Sequence, residues 1–362
     1  MTLTPLPWIM EIEPYKGGEA TLPGIAKPIK LASNENAFGP SPKALEAYAA
    51  AAQKLHIYPE GSAAKLREAL AGKHGLDASR IVCGAGSDEL FFLLTRAFVG
   101  VGDEVVTNEH AFGVYPIATL QSGGKIVEAK DTGSQGLDAS VDALLAAVTV
   151  KTKVLFLANP NNPTGTYLSK SEIARLHRGL PGHVLLVLDG AYAEFVDRPD
   201  YSWGIELADA PNVILTRTFS KIYGLAALRI GWGYGAPGVI DALNRVRGPF
   251  NVSIPAMEAA VAALGDQDFA DKSANHVHVE LPRVSAALEA MGLGVTPSAC
   301  NFLLIHFTHG QAAKADAFLR SKGYILRAMK SYKLPDALRM TIGPTDHNSG
   351  ALDALREFMS QR

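Results

Sequence analysis

A glycine-rich segment joins a predicted strand to a predicted helix and has the sequence Cys83-Gly84-Ala85-Gly86-Ser87-Asp88-Glu89. Glycines let the backbone approach a ligand closely, and the N–H groups and dipole of a helix N-terminus favour an anion such as a phosphate. A tight turn with Ser87 as the helix N-cap explains the same residues. On its own, this segment indicates either a phosphate site or a simple turn.

Three further segments carry residues that could do chemistry. The loop 159–165, Asn-Pro-Asn-Asn-Pro-Thr-Gly, is also a typical set of turn residues. Asp189 ends the apolar strand 184–188, and a buried carboxylate needs a cationic partner, although a helix N-cap or an ion pair explains it equally well. Lys221 lies among hydroxyl and apolar residues, eight residues before Arg229, whereas a single lysine is most often at the surface. All four segments end predicted strands, where open α/β sheets bind ligands.

The elements that position these segments alternate from about residue 40 onward. Short β-branched runs alternate with helical patterns, which predicts a mostly parallel sheet with helices on both faces. The predicted strands are 80–83, 104–107, 125–128, 153–157, 184–188 and 212–215. Ser41 followed by Pro42 begins the first helix, and Ser169 with Glu172 forms a capping box. Residues 41–250 are therefore expected to form a large domain.

After Pro249 the pattern changes to a smaller α+β domain. An alanine-rich helical region covers about 254–290, with a break or kink expected at Pro282. Strands are predicted at 301–307, 324–327 and 338–342, and a last helix near 349–359. We expect residues 1–40 and 251–362 to form this second domain together.

Composition and charge exclude several classes of protein. The chain has 34 lysines and arginines and 36 acidic residues, a formal net charge of −2, which argues against nucleic acid or an anionic membrane as a partner. No apolar run reaches the ~18 residues of a membrane span. The cysteines, Cys83 and Cys300, suit a reducing compartment, so we expect a cytoplasmic protein. The histidine pairs 276/278 and 306/309 lack further ligands, so no metal site is expected.

Taken together, the motifs resemble those of a known group of enzymes. The Asn-Asn-Pro-Thr-Gly loop, the Asp189-x-x-Tyr192 strand end and the Ser220-Lys221 segment with Arg229 occur in the order found in fold-type I aminotransferases, which use pyridoxal 5'-phosphate (PLP). Within that group the chain is similar to the histidinol-phosphate aminotransferase family over about residues 14–358. The segments that carry this similarity are 29–36, 39–42, 58–61, 248–252, 297–302 and 338–343. The resemblance implies the fold-type I architecture, a mostly parallel central sheet flanked by helices plus a smaller α+β domain.

The resemblance also implies roles around the cofactor ring. Lys221 would bind PLP through its amine and later move a proton between the substrate Cα and C4′ of the cofactor. Asp189 would hold the proton on the pyridine nitrogen, so that the ring can accept electrons. Asn162 and Tyr192 would hydrogen-bond to the phenolic oxygen O3′, and Phe112 would stack on the ring. Lys221, Asp189 and Tyr192 are the expected catalytic residues.

A second set of residues is implied for the cofactor phosphate. It consists of the backbone N–H groups of Ala85 and Gly86 with Ser87, the hydroxyls of Thr218 and Ser220, and Arg229. Oriented donors and one guanidinium would satisfy a dianion. Tyr58 resembles a tyrosine that reaches the phosphate region of the neighbouring subunit's cofactor, which implies a homodimer.

For the substrate, the resemblance implies that Arg339 binds the acidic end. Its guanidinium would bind the carboxylate of glutamate in one half-reaction and the phosphate of histidinol phosphate in the other. Asn34, Tyr15 and Arg327 are the further substrate contacts expected. The implied activity is transfer of the amino group of histidinol phosphate to 2-oxoglutarate, a step of histidine biosynthesis.

Two other reactions stay open at this point. An aminotransferase for phenylalanine or tyrosine would keep every PLP residue and the Arg339 contact. An enzyme like threonine-phosphate decarboxylase has a closely similar fold and lysine segment. The substrate bond that lies perpendicular to the cofactor ring decides between transfer and decarboxylation, and the sequence does not show it.

Overall fold

The computed structural model describes residues 3–15, 17–133 and 135–361. Its strands are β1 (Ile29–Lys30), β2 (Ile81–Gly84), β3 (Glu104–Asn108), β4 (Lys125–Ala129), β5 (Thr152–Ala158), β6 (Leu185–Asp189), β7 (Val213–Thr218), β8 (Gly231–Gly235), β9 (Gly294–Thr296), β10 (Phe302–His306), β11 (Tyr324–Ile325), β12 (Arg327–Ala328) and β13 (Ala337–Thr341). Its α-helices are α1 (Pro42–Ala51), α2 (Ala64–His74), α3 (Ser87–Phe98), α4 (Val114–Gln121), α5 (Val141–Ala147), α6 (Lys170–Gly179), α7 (Pro237–Val246), α8 (Ile254–Leu264), α9 (Gln267–Glu289), α10 (Gln311–Ser321) and α11 (Thr345–Ser360).

Seven strands form the large sheet in the order β2-β8-β7-β6-β5-β3-β4. The pairs from β4 through β7 are parallel, and β8 runs antiparallel to both β7 and β2. Strands β6 and β7 are buried along their whole length, because helices cover both faces of the sheet. The predicted mostly parallel α/β sheet is confirmed.

Strand β8 is absent from the predicted strands because its sequence, Gly-Trp-Gly-Tyr-Gly, lacks the usual strand pattern. Its glycines have a structural reason. A β-carbon at Gly231 would overlap the backbone of Gly86 and Ser87. The small residue therefore lets the N-terminus of α3 lie directly against the sheet.

The C-terminal part of the chain contains a second, antiparallel sheet in the order β12-β13-β10-β9. The N-terminal strand β1 pairs in parallel with β11, so the segment before α1 contacts the C-terminal region. The predicted strand 324–327 is divided between β11 and β12, which belong to different sheets. The boundaries of the two expected domains, at residues 40 and 250, stay a prediction.

The helix starts follow the capping residues. Of the break or kink expected at Pro282, the break is wrong, and the kink stays a prediction. The Ser41 hydroxyl accepts a hydrogen bond from Ala44 N at 3.1 Å, and the capping box at Ser169 is present. Helix α9 continues through Pro282, and the interruption lies at residues 265–266, between α8 and α9. Proline removes one helical hydrogen bond, but buried residues on both sides of Pro282 keep α9 packed against its neighbours.

Two of the histidines considered as metal ligands, His276 and His278, contact backbone carbonyl oxygens instead. His276 Nε2 lies 2.9 Å from Gly343 O, and His278 Nε2 lies 2.8 Å from Phe195 O. Within the described ranges, no group of three or more His, Cys, Asp or Glu side chains is arranged to hold a metal ion. None of the helices in those ranges is long and apolar enough to cross a membrane.

Candidate functional site

A cavity of about 200 Å³ lies at the C-terminal edge of the parallel strands. The ends of β5, β6 and β7, the N-terminus of α3 and the segment around Asn34 form its walls. Of the residues predicted for the site, those that line it are Tyr15, Asn34, Ser87, Phe112, Asn162, Asp189, Tyr192, Thr218, Ser220, Lys221, Arg229, Arg327 and Arg339. Residues far apart in the chain thus meet at one edge of the sheet, as the strand-end positions predicted.

Asp189 is a buried carboxylate at the end of β6 with two hydroxyl donors. Tyr115 donates to Oδ2 at 2.7 Å, and Thr216 donates to Oδ1 at 3.3 Å. Burial raises the pKa of Asp189 to about 6. Because both donors are neutral, a protonated ring nitrogen in the cavity would supply the opposite charge that a buried carboxylate requires.

Lys221 presents its amine to the same cavity. Nζ donates to the Ser33 carbonyl oxygen at 3.4 Å and lies 5.6 Å from the centroid of the Tyr192 ring. Burial, followed by the positive charge of Arg339, lowers the pKa of Lys221 to about 8. A lysine with this pKa has a substantial neutral fraction near physiological pH, as a nucleophile or general base needs.

Arg339 lies beside Lys221 and is held by several contacts. Nη1 donates to Asn162 Oδ1, Nη2 donates to Ala32 O at 3.0 Å, and the guanidinium lies 5.1 Å from the centroid of the Phe302 ring. Burial lowers the pKa of Arg339. The positive charge of Arg339 contributes to the lowered pKa of Lys221. An anion bound beside Arg339 would reduce the repulsion between these two cations and would itself be stabilised.

Asn34 contacts another site residue. Its side chain donates to the Tyr192 hydroxyl at 2.8 Å, and its backbone N donates to Thr341 Oγ1 at 2.8 Å. Burial raises the pKa of the Tyr192 hydroxyl, which therefore stays protonated. Asn34, expected as a substrate contact, thus also orients Tyr192.

The opposite end of the cavity offers hydroxyls and a guanidinium. Thr218 Oγ1 donates to Ser220 Oγ at 3.0 Å, and Arg229 Nη1 lies 3.4 Å from that oxygen. Arg229 Nη2 also pairs with Asp88 Oδ2 at 2.9 Å. Gly86 has a φ of 85°, and a β-carbon there would overlap the Arg229 guanidinium. The glycine therefore lets this cation approach the start of α3.

The backbone N–H groups of Ala85 and Gly86 differ from the expectation. Ala85 N donates to Glu89 Oε2 at 2.5 Å, and Gly86 N donates to Gly84 O at 2.8 Å. Neither residue lines the cavity. A phosphate would bind these two N–H groups only by displacing their present partners, whereas the Ser87 and Thr218 side chains already face the cavity.

Tyr58 lies outside this cavity. It is 80% exposed, and its ring stacks on Phe250 with centroids 5.0 Å apart. Both rings line a separate open groove with Tyr48, Leu55 and Pro255. Within one chain, Tyr58 does not reach the residues that would bind the cofactor.

The sequence reasoning missed two tyrosines of the site. Tyr115, which donates to Asp189, follows Phe112 by three residues and is buried in α4. In the sequence it cannot be told from an aromatic residue of the core. Tyr332 lines the cavity, and its hydroxyl would lie 3.3 Å from a β-carbon at Gly113. Tyr332 belongs to the segment 327–333, whose one arginine and two lysines suit an acidic ligand as well as a solvated loop.

Comparisons with known proteins show what the whole chain is similar to. The family model described as aminotransferase class I and II matches residues 26–355. Histidinol-phosphate aminotransferases from Rhodopseudomonas palustris (strain BisB5) and Maricaulis maris (strain MCS10) are each 53% identical over 99% of this chain, covering 98% and 99% of those proteins. The crystal structure of histidinol-phosphate aminotransferase from Sinorhizobium meliloti in complex with pyridoxal-5'-phosphate matches with a TM-score of 0.90 and 29% identity, over 99% of both chains.

Proposed function

Because the chain belongs to the family of class I and II aminotransferases, a PLP-dependent group, we propose that it transfers the amino group of histidinol phosphate to 2-oxoglutarate. The main support for the proposal is that Asp189, Lys221 and Arg339 line the same cavity. Full-length similarity to histidinol-phosphate aminotransferases at 53% identity supports the choice of amino donor.

The residues present fit PLP by their chemistry. Among the described residues, the side chains that hydrogen-bond to Asp189 are the neutral Tyr115 and Thr216, so the ring nitrogen would supply its cationic partner. Lys221 offers an amine of lowered pKa. Ser87, Thr218, Ser220 and Arg229 would hold the cofactor phosphate, with Ala85 and Gly86 as further donors after rearrangement. When bound, PLP supplies an electron-accepting ring that stabilises negative charge at the substrate Cα.

The protein's own groups would divide the remaining work. Asp189 holds a proton at the ring nitrogen, and the Asn162 amide and Tyr192 hydroxyl donate hydrogen bonds to the phenolic oxygen. Phe112 covers one face of the ring. Once the substrate amine has replaced it on the cofactor, Lys221 Nζ would take the proton from the substrate Cα and deliver it to C4′ of the cofactor, acting first as general base and then as general acid.

Arg339 would act in both half-reactions. Its guanidinium can bind a phosphate or a carboxylate with paired N–H groups. Tyr15 and Arg327, at the same end of the cavity, would complete the acidic-group site. An enzyme that releases one product before binding the second substrate needs such a shared site, and the mechanism would be ping-pong.

We further propose a homodimer in the cytoplasm. The exposed Tyr58 and Phe250 lie on an apolar groove, and Tyr58 would reach the neighbouring subunit's cofactor phosphate. Residues 41–250 would form the large domain, and residues 1–40 with 251–362 the small one. Light scattering coupled to gel filtration measures the assembly directly, and a monomer under active conditions contradicts it.

The amino donor is tested by mixing the PLP-loaded protein separately with histidinol phosphate, phenylalanine and threonine phosphate in a stopped-flow spectrometer. A fast change in the cofactor spectrum with histidinol phosphate alone supports the proposal. A preference for phenylalanine makes the protein an aromatic aminotransferase, and carbon dioxide release from threonine phosphate makes it a decarboxylase.

The lysine assignment has its own control. Lys221→Ala is expected to lose turnover and the visible absorbance of the covalently bound cofactor, because no other amine in the described part of the cavity replaces it. A variant that keeps both would refute the assignment of Lys221.

A further inference from the structure

A buried histidine and aspartate lie directly behind the cavity and take no part in the proposed chemistry. His110 is 7% exposed and Asp131 is 5% exposed. His110 Nδ1 lies 2.9 Å from Asp131 Oδ2, and the backbone N of His110 donates to the same oxygen at 3.0 Å. Asn108 Nδ2 donates to it as well, at 3.2 Å. The arrangement suits a histidine tautomer with its hydrogen on Nδ1, because a carboxylate oxygen accepts hydrogen bonds.

The backbone of the same histidine contacts a second loop that reaches the cavity. Asn161 Nδ2 donates to the His110 carbonyl oxygen at 2.8 Å. The next residue, Asn162, lines the cavity and accepts a hydrogen bond from Arg339. Asp131 therefore fixes the ring and the backbone N of His110, and the carbonyl group of His110 joins loop 109–113 to loop 159–165.

The loop 109–113 carries one group of the cofactor site and leads directly into another. Phe112 lines the cavity two residues after His110. Tyr115, in the first turn of α4, donates to the carboxylate of Asp189. The position of this loop therefore bears on the proposed ring-stacking residue and, through the start of α4, on the partner of Asp189.

We propose that His110 and Asp131 are positioning residues that hold loops 109–113 and 159–165 in register and so place Phe112 and Asn162 against the cofactor. The proposal rests on the proposed PLP-dependent function. One carboxylate oxygen receives two hydrogen bonds from a single residue, which restrains both its backbone and its side chain. Displacing a reacting group by about 1 Å is enough to lower a rate severely.

The test compares two substitutions of the histidine. His110→Leu removes the Nδ1 donor, whereas His110→Asn retains an N–H at the same number of bonds from Cα. The matched control is His309→Leu, which removes the histidine of a histidine–aspartate pair at the surface. His309 Nδ1 lies 3.1 Å from Asp336 Oδ2, and the His309 side chain is 98% exposed. The dissociation constant for PLP is measured on the cofactor-free protein, together with the visible circular dichroism per bound cofactor.

We expect His110→Leu to weaken PLP binding about tenfold, the order of effect of losing one buried hydrogen bond. Its circular dichroism per bound cofactor should fall, because the signal depends on how the protein fixes the ring. His110→Asn should remain within about twofold of the original protein in affinity, and His309→Leu should match it in both measurements.

A folded His110→Leu variant with unchanged affinity and circular dichroism overturns the proposal, as does a loss of thermal stability without either change. If His110→Leu does not fold, Asp131→Ala, which removes the acceptor of these hydrogen bonds, is measured in the same way, and an unchanged affinity and circular dichroism there also overturn the proposal. These readouts need no substrate. A protein that binds PLP normally but does not react with histidinol phosphate therefore refutes the proposed function and leaves the positioning result standing.

Discussion

Burial acts on the two titratable groups at the centre of the cavity and favours the neutral form of each. The pKa of Asp189 is raised to about 6, and that of Lys221 is lowered to about 8. At neutral pH the carboxylate is still mostly ionised, while part of the amine population is already unprotonated. In the same pH range, the Asp189 carboxylate can therefore pair with the protonated ring nitrogen of PLP, and the Lys221 amine can attack the carbonyl group of PLP.

The rate at which Lys221 binds PLP should follow its neutral fraction. Because the pKa is lowered from its ordinary 10.5, the rate of cofactor uptake by the cofactor-free protein is expected to rise with pH and reach half its maximum near pH 8. Absorbance after rapid mixing measures it. Arg339→Gln removes a positive charge that lowers this pKa, so its midpoint should lie at higher pH. A midpoint near pH 10 in the original protein contradicts the assignment.

The role of Asp189 predicts the opposite dependence. Below about pH 6 its carboxyl group becomes protonated, the ion pair with the ring nitrogen is lost and PLP affinity should fall. Asp189→Asn should bind PLP more weakly at neutral pH and turn over about 100-fold more slowly, the order of effect of removing one electrostatic group. The cofactor phosphate also titrates near pH 6. The fall in PLP affinity at low pH is therefore assigned to the Asp189 carboxylate only as far as it is absent in Asp189→Asn. The same fall in both proteins refutes the role of Asp189.

At the scale of elements, the N-terminal segment that leads into α1 is packed over the loop of Lys221. Asn36 Nδ2 donates to Ile222 O at 2.8 Å. Gly224 has a φ of 66°, and a β-carbon there would overlap the carbonyl group of Gly39. Two segments about 185 residues apart in sequence, joined by Asn36, are thus in backbone contact. The contact adjoins the lysine, since Asn36 Nδ2 also lies 3.5 Å from the carbonyl oxygen of Lys221.

Gly224→Ala is expected to lower the free energy of unfolding by about 2–4 kcal/mol, because the positive φ and the overlap with Gly39 both disfavour a side chain. Urea denaturation measures it. The control is Gly238→Ala in α7, where a β-carbon meets nothing within 4 Å. That change should shift stability by less than about 1 kcal/mol. Equal effects of the two substitutions are incompatible with a specific contact at Gly224.

At the scale of the whole molecule, the proposed composite site of a homodimer predicts complementation. Tyr58→Ala and Lys221→Ala chains should each be poorly active alone. In a mixed dimer, the site on the Tyr58→Ala chain keeps its own Lys221 and receives Tyr58 from the partner. Random mixing should therefore restore roughly a quarter of the sites. The two variants are unfolded, mixed and refolded together, and the activity of the mixture is measured. If no activity is recovered, Tyr58 does not contribute to the site of the partner chain.

The sequence by itself determined the alternating α/β pattern, the caps at Ser41 and Ser169, and the strand-end segments that carry Asn162, Asp189 and Lys221. These features are local, since periodicity, capping and strand ends depend on neighbouring residues. Helix α9 shows the limit of this reasoning, because packing along its buried face outweighed the local effect of Pro282.

Only the tertiary structure decided which distant residues meet and how burial changes them. Arg339 bonds to Asn162 across 177 residues, and Tyr115 bonds to Asp189 across 74. Glu89 accepts the Ala85 N–H that the family resemblance had assigned to a phosphate. Such contacts, and the pKa shifts of Asp189 and Lys221, arise from desolvation and charges that surround a group in space. No local spacing in the chain encodes them, because the groups responsible come from separate strands and loops that the fold alone brings together.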